Sequence, residues 1–220
     1  AAVDENVGRL MEELDRRGLA EDTLVVYTTD QGYFLGEHGY IDKRWMFEES
    51  LRMPLLARLP GEIPAGSVVD EIVLNTDLAP TLLDYAGRET PSYMEGRSAR
   101  EVWRGEAPSD WRTSMYYRYW MQAAGASRPA HYGIRTERYK LIFYYGLSLD
   151  TSGGTGERTP PGWELYDLER DPSEVNNVYH DERYRSVRER LKKELLAKKD
   201  ELGDTDEEYP ELMDLREKFW

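Results

Sequence analysis

The residues best suited to chemistry fall in one short stretch, 28–44. Thr28-Thr29-Asp30-Gln31-Gly32 follows the apolar, β-branched run Leu24-Val25-Val26-Tyr27. In open α/β sheets, ligands bind outside the carboxyl ends of strands. Asp30 is a hard oxygen donor and Gln31 offers an amide oxygen, a pair better suited to calcium or magnesium than to a soft metal. Gly32 permits a sharp turn beside an ion. Asp and Gly are equally at home in an ordinary strand-end turn, so position alone leaves both readings open. The run Gly36-Glu37-His38-Gly39-Tyr40-Ile41-Asp42-Lys43-Arg44 comes next. If this loop folds back toward the turn, the Lys43 ammonium could hold an anionic group and stabilise charge on a leaving oxygen. The alternative is a solvated surface lysine, the commonest fate of that residue. His38 could act as a base or a substrate contact, or bond to backbone in its glycine-flanked turn. Only three histidines are present, with no HxxxH spacing, which argues against zinc.

The elements that must position these residues read as mixed α/β. Val3, Val7, Leu10 and Leu14 lie at i, i+4, i+7 and i+11, one stripe of an amphipathic helix over 3–17. The run 24–29 lacks alternation, as expected of a parallel strand covered on both faces. Residues 30–50 read as an active-site loop leading into a short helix over 46–51. A second short strand follows over 53–58, then helices over 77–86 and 98–104. Beyond residue 110 the segments 114–120, 132–136, 139–145 and 163–168 are short, aromatic-rich and strand-like, which predicts an antiparallel sheet. Five glycines and two prolines mark 146–162 as a mobile loop. A helix is expected over 181–202 and a loosely held acidic tail beyond it. The expected organisation is a large-domain portion over 1–109, a small antiparallel domain over 110–202 and a tail over 203–220. Two buried strands and one full helix do not complete a covered parallel sheet. The chain therefore reads as part of a longer protein, with an amino terminus resembling mid-protein sequence.

Forty-three acidic against 29 basic residues give a net charge of −14, which disfavours nucleic acid as a partner. Any site for sulfate or phosphate must be locally positive. Cysteine is absent, so disulfides, thiolate metal sites and cysteine nucleophiles are excluded for this chain. No run approaches the length of a membrane span, and residues 1–18 are too charged for a signal peptide.

The segments TTDQG, GEHGYIDKR and FEESLRMPLLARLPG resemble the type I sulfatases of the alkaline phosphatase superfamily. DLAPTLLDYAG resembles the helix after that family's large-domain strands. HYGIRTERYKLI and WELYDLERDPSEVNNVY resemble its small carboxy-terminal domain, an antiparallel sheet packed by a long helix. The likeness runs in the family's order over about residues 3–200. It implies the carboxy-terminal part of an alkaline-phosphatase-like sulfatase fold. It also implies roles: Asp30 and Gln31 as calcium ligands, and Lys43, thirteen residues after Asp30, contacting sulfate. The wording is most similar to N-acetylglucosamine-6-sulfatases acting on sulfated carbohydrate. On that likeness His131 reaches the sugar, and His38 is a second candidate contact; a histidine capping an edge strand is the alternative for His131.

The chain also departs from the pattern. The family's formylglycine arises in a Cys/Ser-x-Pro/Ala-x-Arg motif, which is absent here, as is the Asp-Asp pair that completes the calcium site. The resemblance therefore implies that the chain alone is inactive. A phosphodiesterase or phosphonate hydrolase of the same superfamily is an alternative reading, as is a non-catalytic binding module. Uncovered apolar surface on the large-domain portion predicts self-association. The family is mostly secreted, periplasmic or lysosomal.

Overall fold

The computed structural model describes residues 2–122, 128–149, 152, 154 and 156–220, arranged in two compact units. Residues 150, 151, 153 and 155 of the expected loop over 146–162 lie outside the described residues.

The first unit is Ala1–Asp30 with Met53–Arg112. Its amphipathic helix, α1, spans Ala2–Arg16 with no residue of it buried. Strand β1 (Val25–Thr28) pairs with β4 (Leu55–Arg58), Val25 opposite Arg58 and Thr28 opposite Leu55. This pairing is antiparallel, whereas the sequence reading expects a parallel strand. A short β-branched run carries no signal of pairing direction, which explains the difference. Coverage also differs. Val26, Leu55 and Ala57 pack toward a core of Ala99, Val102, Trp103 and Trp111. The cross-strand pair Tyr27 and Leu56 stays exposed. Helices α3 (Asn75–Tyr85) and α4 (Arg100–Trp103) complete the unit. Asp77, fully buried at the start of α3, accepts hydrogen bonds from the backbone of Leu74 (2.7 Å) and Arg97 (2.8 Å) and from the Arg112 guanidinium (2.5 and 2.8 Å).

The second unit is Gln31–Arg52 with Thr113–Trp220. The loop over 31–52 thus belongs with the antiparallel sheet rather than with the β1–β4 pair. That sheet runs β5 (Ser114–Tyr119), β6 (His131–Thr136), β7 (Tyr139–Tyr144), β8 (Gly162–Asp167), each antiparallel to its neighbour. Alternation along the strands sorts their side chains to two faces. Tyr132, Ile134, Leu141, Phe143 and Leu165 pack with Leu191 and Leu195 of α5 (Arg185–Glu201) and Leu212 of α6 (Pro210–Phe219). Ile142, Tyr144 and Tyr166 pack on the other face with Phe34, Trp45, Met46 and Phe47 of the 31–52 loop. Gly133 makes this second contact possible, since a β-carbon there would stand 2.6 Å from the Met46 sulfur.

Residues 203–220 are not a loose acidic tail. Leu212 is fully buried, and Trp163 Nε1 donates to the Phe219 carbonyl at 2.9 Å. Asp206 is buried too, 3.0 Å from Lys199 Nζ and 3.0 Å from the Tyr132 hydroxyl. Among the described residues, no helix is long and apolar enough to cross a membrane.

Candidate active-site loop

The loop over 31–52 contains a small hairpin, β2 (Phe34–Leu35) with β3 (Ile41–Asp42), and the one-turn helix α2 (Glu48–Leu51). Three non-glycine residues take left-handed backbone angles: His38 (φ 53°), Asp42 (φ 91°) and Arg44 (φ 100°). Each such residue costs on the order of 1–3 kcal/mol and persists only where its surroundings hold it. Here the fully buried Phe34 and Met46, with the buried Trp45 and Phe47, anchor the loop to the sheet.

Lys43 is half-buried and lies between two of these strained residues. Both flanks are pinned. The Asp42 carboxylate pairs with Arg44 and with Arg128, the latter at 2.8 Å. The Arg44 amide donates to Ser50 Oγ at 3.1 Å, and its carbonyl accepts from the Tyr117 hydroxyl at 2.8 Å. Burial pushes the Tyr117 phenol up to about 12, which keeps it a donor at neutral pH.

Ser50 also organises the start of the loop. It is fully buried, and its carbonyl accepts from the Gly32 amide at 2.9 Å. Gln31 Nε2 donates to the same carbonyl at 2.7 Å and to Ser50 Oγ at 3.0 Å. The amide's nitrogen end is therefore turned to Ser50; the oxygen is the end that a hard cation would take. Asp30 closes the first unit after β1, exposed, with Thr29 Oγ1 donating to its Oδ1 at 3.3 Å. Both donors match calcium in kind. Two side-chain oxygens fall short of the six to eight that calcium takes. Among the described residues, no group of three or more His, Cys, Asp or Glu side chains could hold a metal.

His38 stacks on Phe47 at 4.3 Å between ring centroids, with Nε2 3.5 Å from Glu49 Oε2. His131 opens β6, an inner strand of the sheet and not an edge strand. Its Nδ1 lies 2.8 Å from the Pro129 carbonyl, so that nitrogen carries the proton, while buried Nε2 has no hydrogen-bond partner among the described residues. The ring lies against Trp45 at 5.9 Å and among Tyr117, Tyr119 and Tyr144. Burial holds the imidazole down at about 4, so it is neutral at pH 7. The second unit thus brings His131 against the residue two places after Lys43.

Sequence reasoning misses the groups beneath the loop. Lys140 is fully buried, 2.9 Å from Glu48 and 2.7 Å from Glu174. Glu174 also accepts from the Glu48 amide at 2.7 Å, capping α2, and Arg135 reaches Glu48 at 3.2 Å. Burial raises the Glu174 carboxyl against the pull of Lys140. Burial also disfavours the charged form of Glu48, but Lys140 and Arg135 outweigh it and lower its pKa. No local pattern in the sequence pairs residues 92 positions apart. Ser50 has no signal either, since a serine in FEESL reads as an ordinary helix residue.

The chain is similar to several known proteins. A family model described as N-sulphoglucosamine sulphohydrolase, C-terminal, matches residues 36–201. An N-acetylglucosamine-6-O-sulfatase of Bacteroides thetaiotaomicron is 44% identical over 207 residues, covering 93% of this chain and 35% of its own length. A solved structure of a protein in complex with its substrate, D-glucosamine-2-N,6-O-disulfate, superposes with a TM-score of 0.82 at 43% identity, over 93% of this chain and 40% of the other. The phosphonate monoester hydrolase of Agrobacterium radiobacter superposes with a TM-score of 0.72 at 26% identity, over 89% of this chain and 38% of that one. The chain thus spans well under half the length of the proteins it matches.

Proposed function

The chain belongs to the N-sulphoglucosamine sulphohydrolase carboxy-terminal family, and from that premise we propose that it is the carboxy-terminal part of a sulfatase hydrolysing sulfate esters on carbohydrate. The substrate class is N-acetylglucosamine-6-sulfate glycans. One observation carries this reading: Lys43 stands on a strained loop whose backbone is pinned immediately on either side. A solvated surface lysine needs no such support. An ammonium held in place can grip a sulfate oxygen and stabilise the charge that develops on the leaving oxygen.

Asp30 and Gln31 would hold calcium, which when bound would neutralise sulfate oxygens. The remaining ligands and the nucleophile would come from sequence other than these 220 residues. His38 and His131 are proposed substrate contacts. For His131 the support is Nε2 on a neutral ring with no hydrogen-bond partner among the described residues; the atom is buried, so a sugar hydroxyl donates to it only where the rings around it give way.

A phosphonate or phosphodiester hydrolase is the second reading, favoured by the fold shared with the phosphonate monoester hydrolase. The test compares sulfate release from N-acetylglucosamine-6-sulfate with turnover of phosphate and phosphonate esters by the full-length protein. Sulfate-ester turnover in large excess supports the sulfatase. Phosphonate or phosphodiester turnover in large excess contradicts it.

A further inference from the structure

Ser50 touches both chemical elements of the loop, and the bonds of its hydroxyl are not among those that form the one-turn helix it sits in. Its hydroxyl accepts from the Arg44 amide, beside Lys43, and from Gln31 Nε2. Its carbonyl accepts from Gln31 Nε2 and from the Gly32 amide. We propose that Ser50 is a positioning residue that sets Gln31 and Lys43 in register with each other, an inference that rests on the sulfatase reading above.

Rotating the Gln31 amide by half a turn would put its oxygen against the Ser50 carbonyl, which cannot donate; that carbonyl sets which end of the amide a cation meets, and the hydroxyl adds the second bond that holds it there. The same hydroxyl holds Arg44 at a left-handed backbone angle that an arginine rarely adopts alone. Removing one oxygen atom therefore loosens the metal-ligand side and the lysine side together. Groups that orient a metal ligand commonly change metal affinity by about 10–100-fold when lost.

The experiment uses the full-length protein and three variants: Ser50→Ala, Ser50→Cys and Ser50→Thr. Cysteine keeps the size of serine but accepts hydrogen bonds weakly, whereas threonine keeps the hydroxyl. Two readouts are taken: kcat and KM on N-acetylglucosamine-6-sulfate, and the calcium concentration giving half of the calcium-induced rise in Tm. Ser50→Ala and Ser50→Cys should lower kcat at least about tenfold. They should also need about tenfold more calcium, with Tm in chelator lowered by only a few degrees, as the loss of a buried hydrogen bond implies. Ser50→Thr should retain most of both. If Ser50→Ala fails to fold, Ser50→Cys decides alone. Wild-type kcat and calcium response in Ser50→Cys would overturn the inference. So would a loss of activity that tracks lowered Tm while the calcium midpoint is unchanged. A wild-type protein with no sulfate release and no calcium response would instead bring down the sulfatase reading, and this inference with it.

Discussion

A β-carbon on Gly32 would stand 2.1 Å from the Glu49 carbonyl oxygen, so these two residues meet backbone to backbone. No side chain fits between them, and the Gly32 amide uses the closeness to reach the Ser50 carbonyl at 2.9 Å. Gly32→Ala should force the loop off α2 and cost about 1–3 kcal/mol, the usual range for overpacking. Denaturant unfolding measures it. A variant as stable as the wild type would show that the loop has room to move.

Lys140 carries the second prediction. With Lys140→Met, Glu48 and Glu174 lose the cation they share in a buried setting. Removing one partner of a buried ion pair costs about 3–5 kcal/mol. The same measurement should report a loss of that order. A change below about 1 kcal/mol, the scale of surface pairs, would contradict the buried network.

His131 predicts a pH dependence. Burial holds its folded pKa down at about 4, below the ordinary imidazole value of about 6.5. Above about 6.5 both folded and unfolded imidazoles are neutral, and stability is unaffected. As pH falls through the window from about 6.5 to 4, the unfolded state takes up the proton first, so stability falls. The loss is complete below about 4 and is on the order of 3 kcal/mol. Carboxylates titrate in part of the same window, so the comparison is with His131→Asn. The wild-type curve should fall more steeply than that of the variant between pH 6.5 and 4. Parallel curves would contradict a buried neutral imidazole.

Much of this was legible in the sequence, for identifiable reasons. Short length and aromatic richness marked the strands of the second unit, a sheet covered on one face by helices and on the other by a loop. The antiparallel pairing of β1 with β4 was not legible, since two four-residue strands look alike in either direction. Nor was the docking of α6. Leu212, Leu215 and Trp220 sit among acidic residues, and local charge hid the apolar side that meets the core. The candidate residues Asp30, Gln31 and Lys43 carried a signal in type and spacing. Ser50, Arg128, Lys140 and Glu174 carried none, because their roles arise only when distant segments meet.

The isolated 220-residue chain should release no sulfate, because neither the nucleophile motif nor a full calcium ligand set lies within it. It should also self-associate through its first unit. There Val3 is 60%, Leu10 54% and Leu56 66% exposed, and exposed apolar surface favours association. Light scattering and a sulfate-release assay check the two halves. A clean monomer would contradict the first-unit surface as an interface, and robust turnover would contradict the missing-half account.

Turnover of N-acetylglucosamine-6-sulfate by the full-length protein, with Lys43 intact and with it replaced, tests the sulfatase assignment most directly. Sulfate release by the wild type is predicted, with Lys43→Ala lowering kcat by about 10²–10³-fold, the range for loss of a placed charge-stabilising donor. Unchanged turnover in Lys43→Ala would contradict the role of the lysine that the strained loop holds.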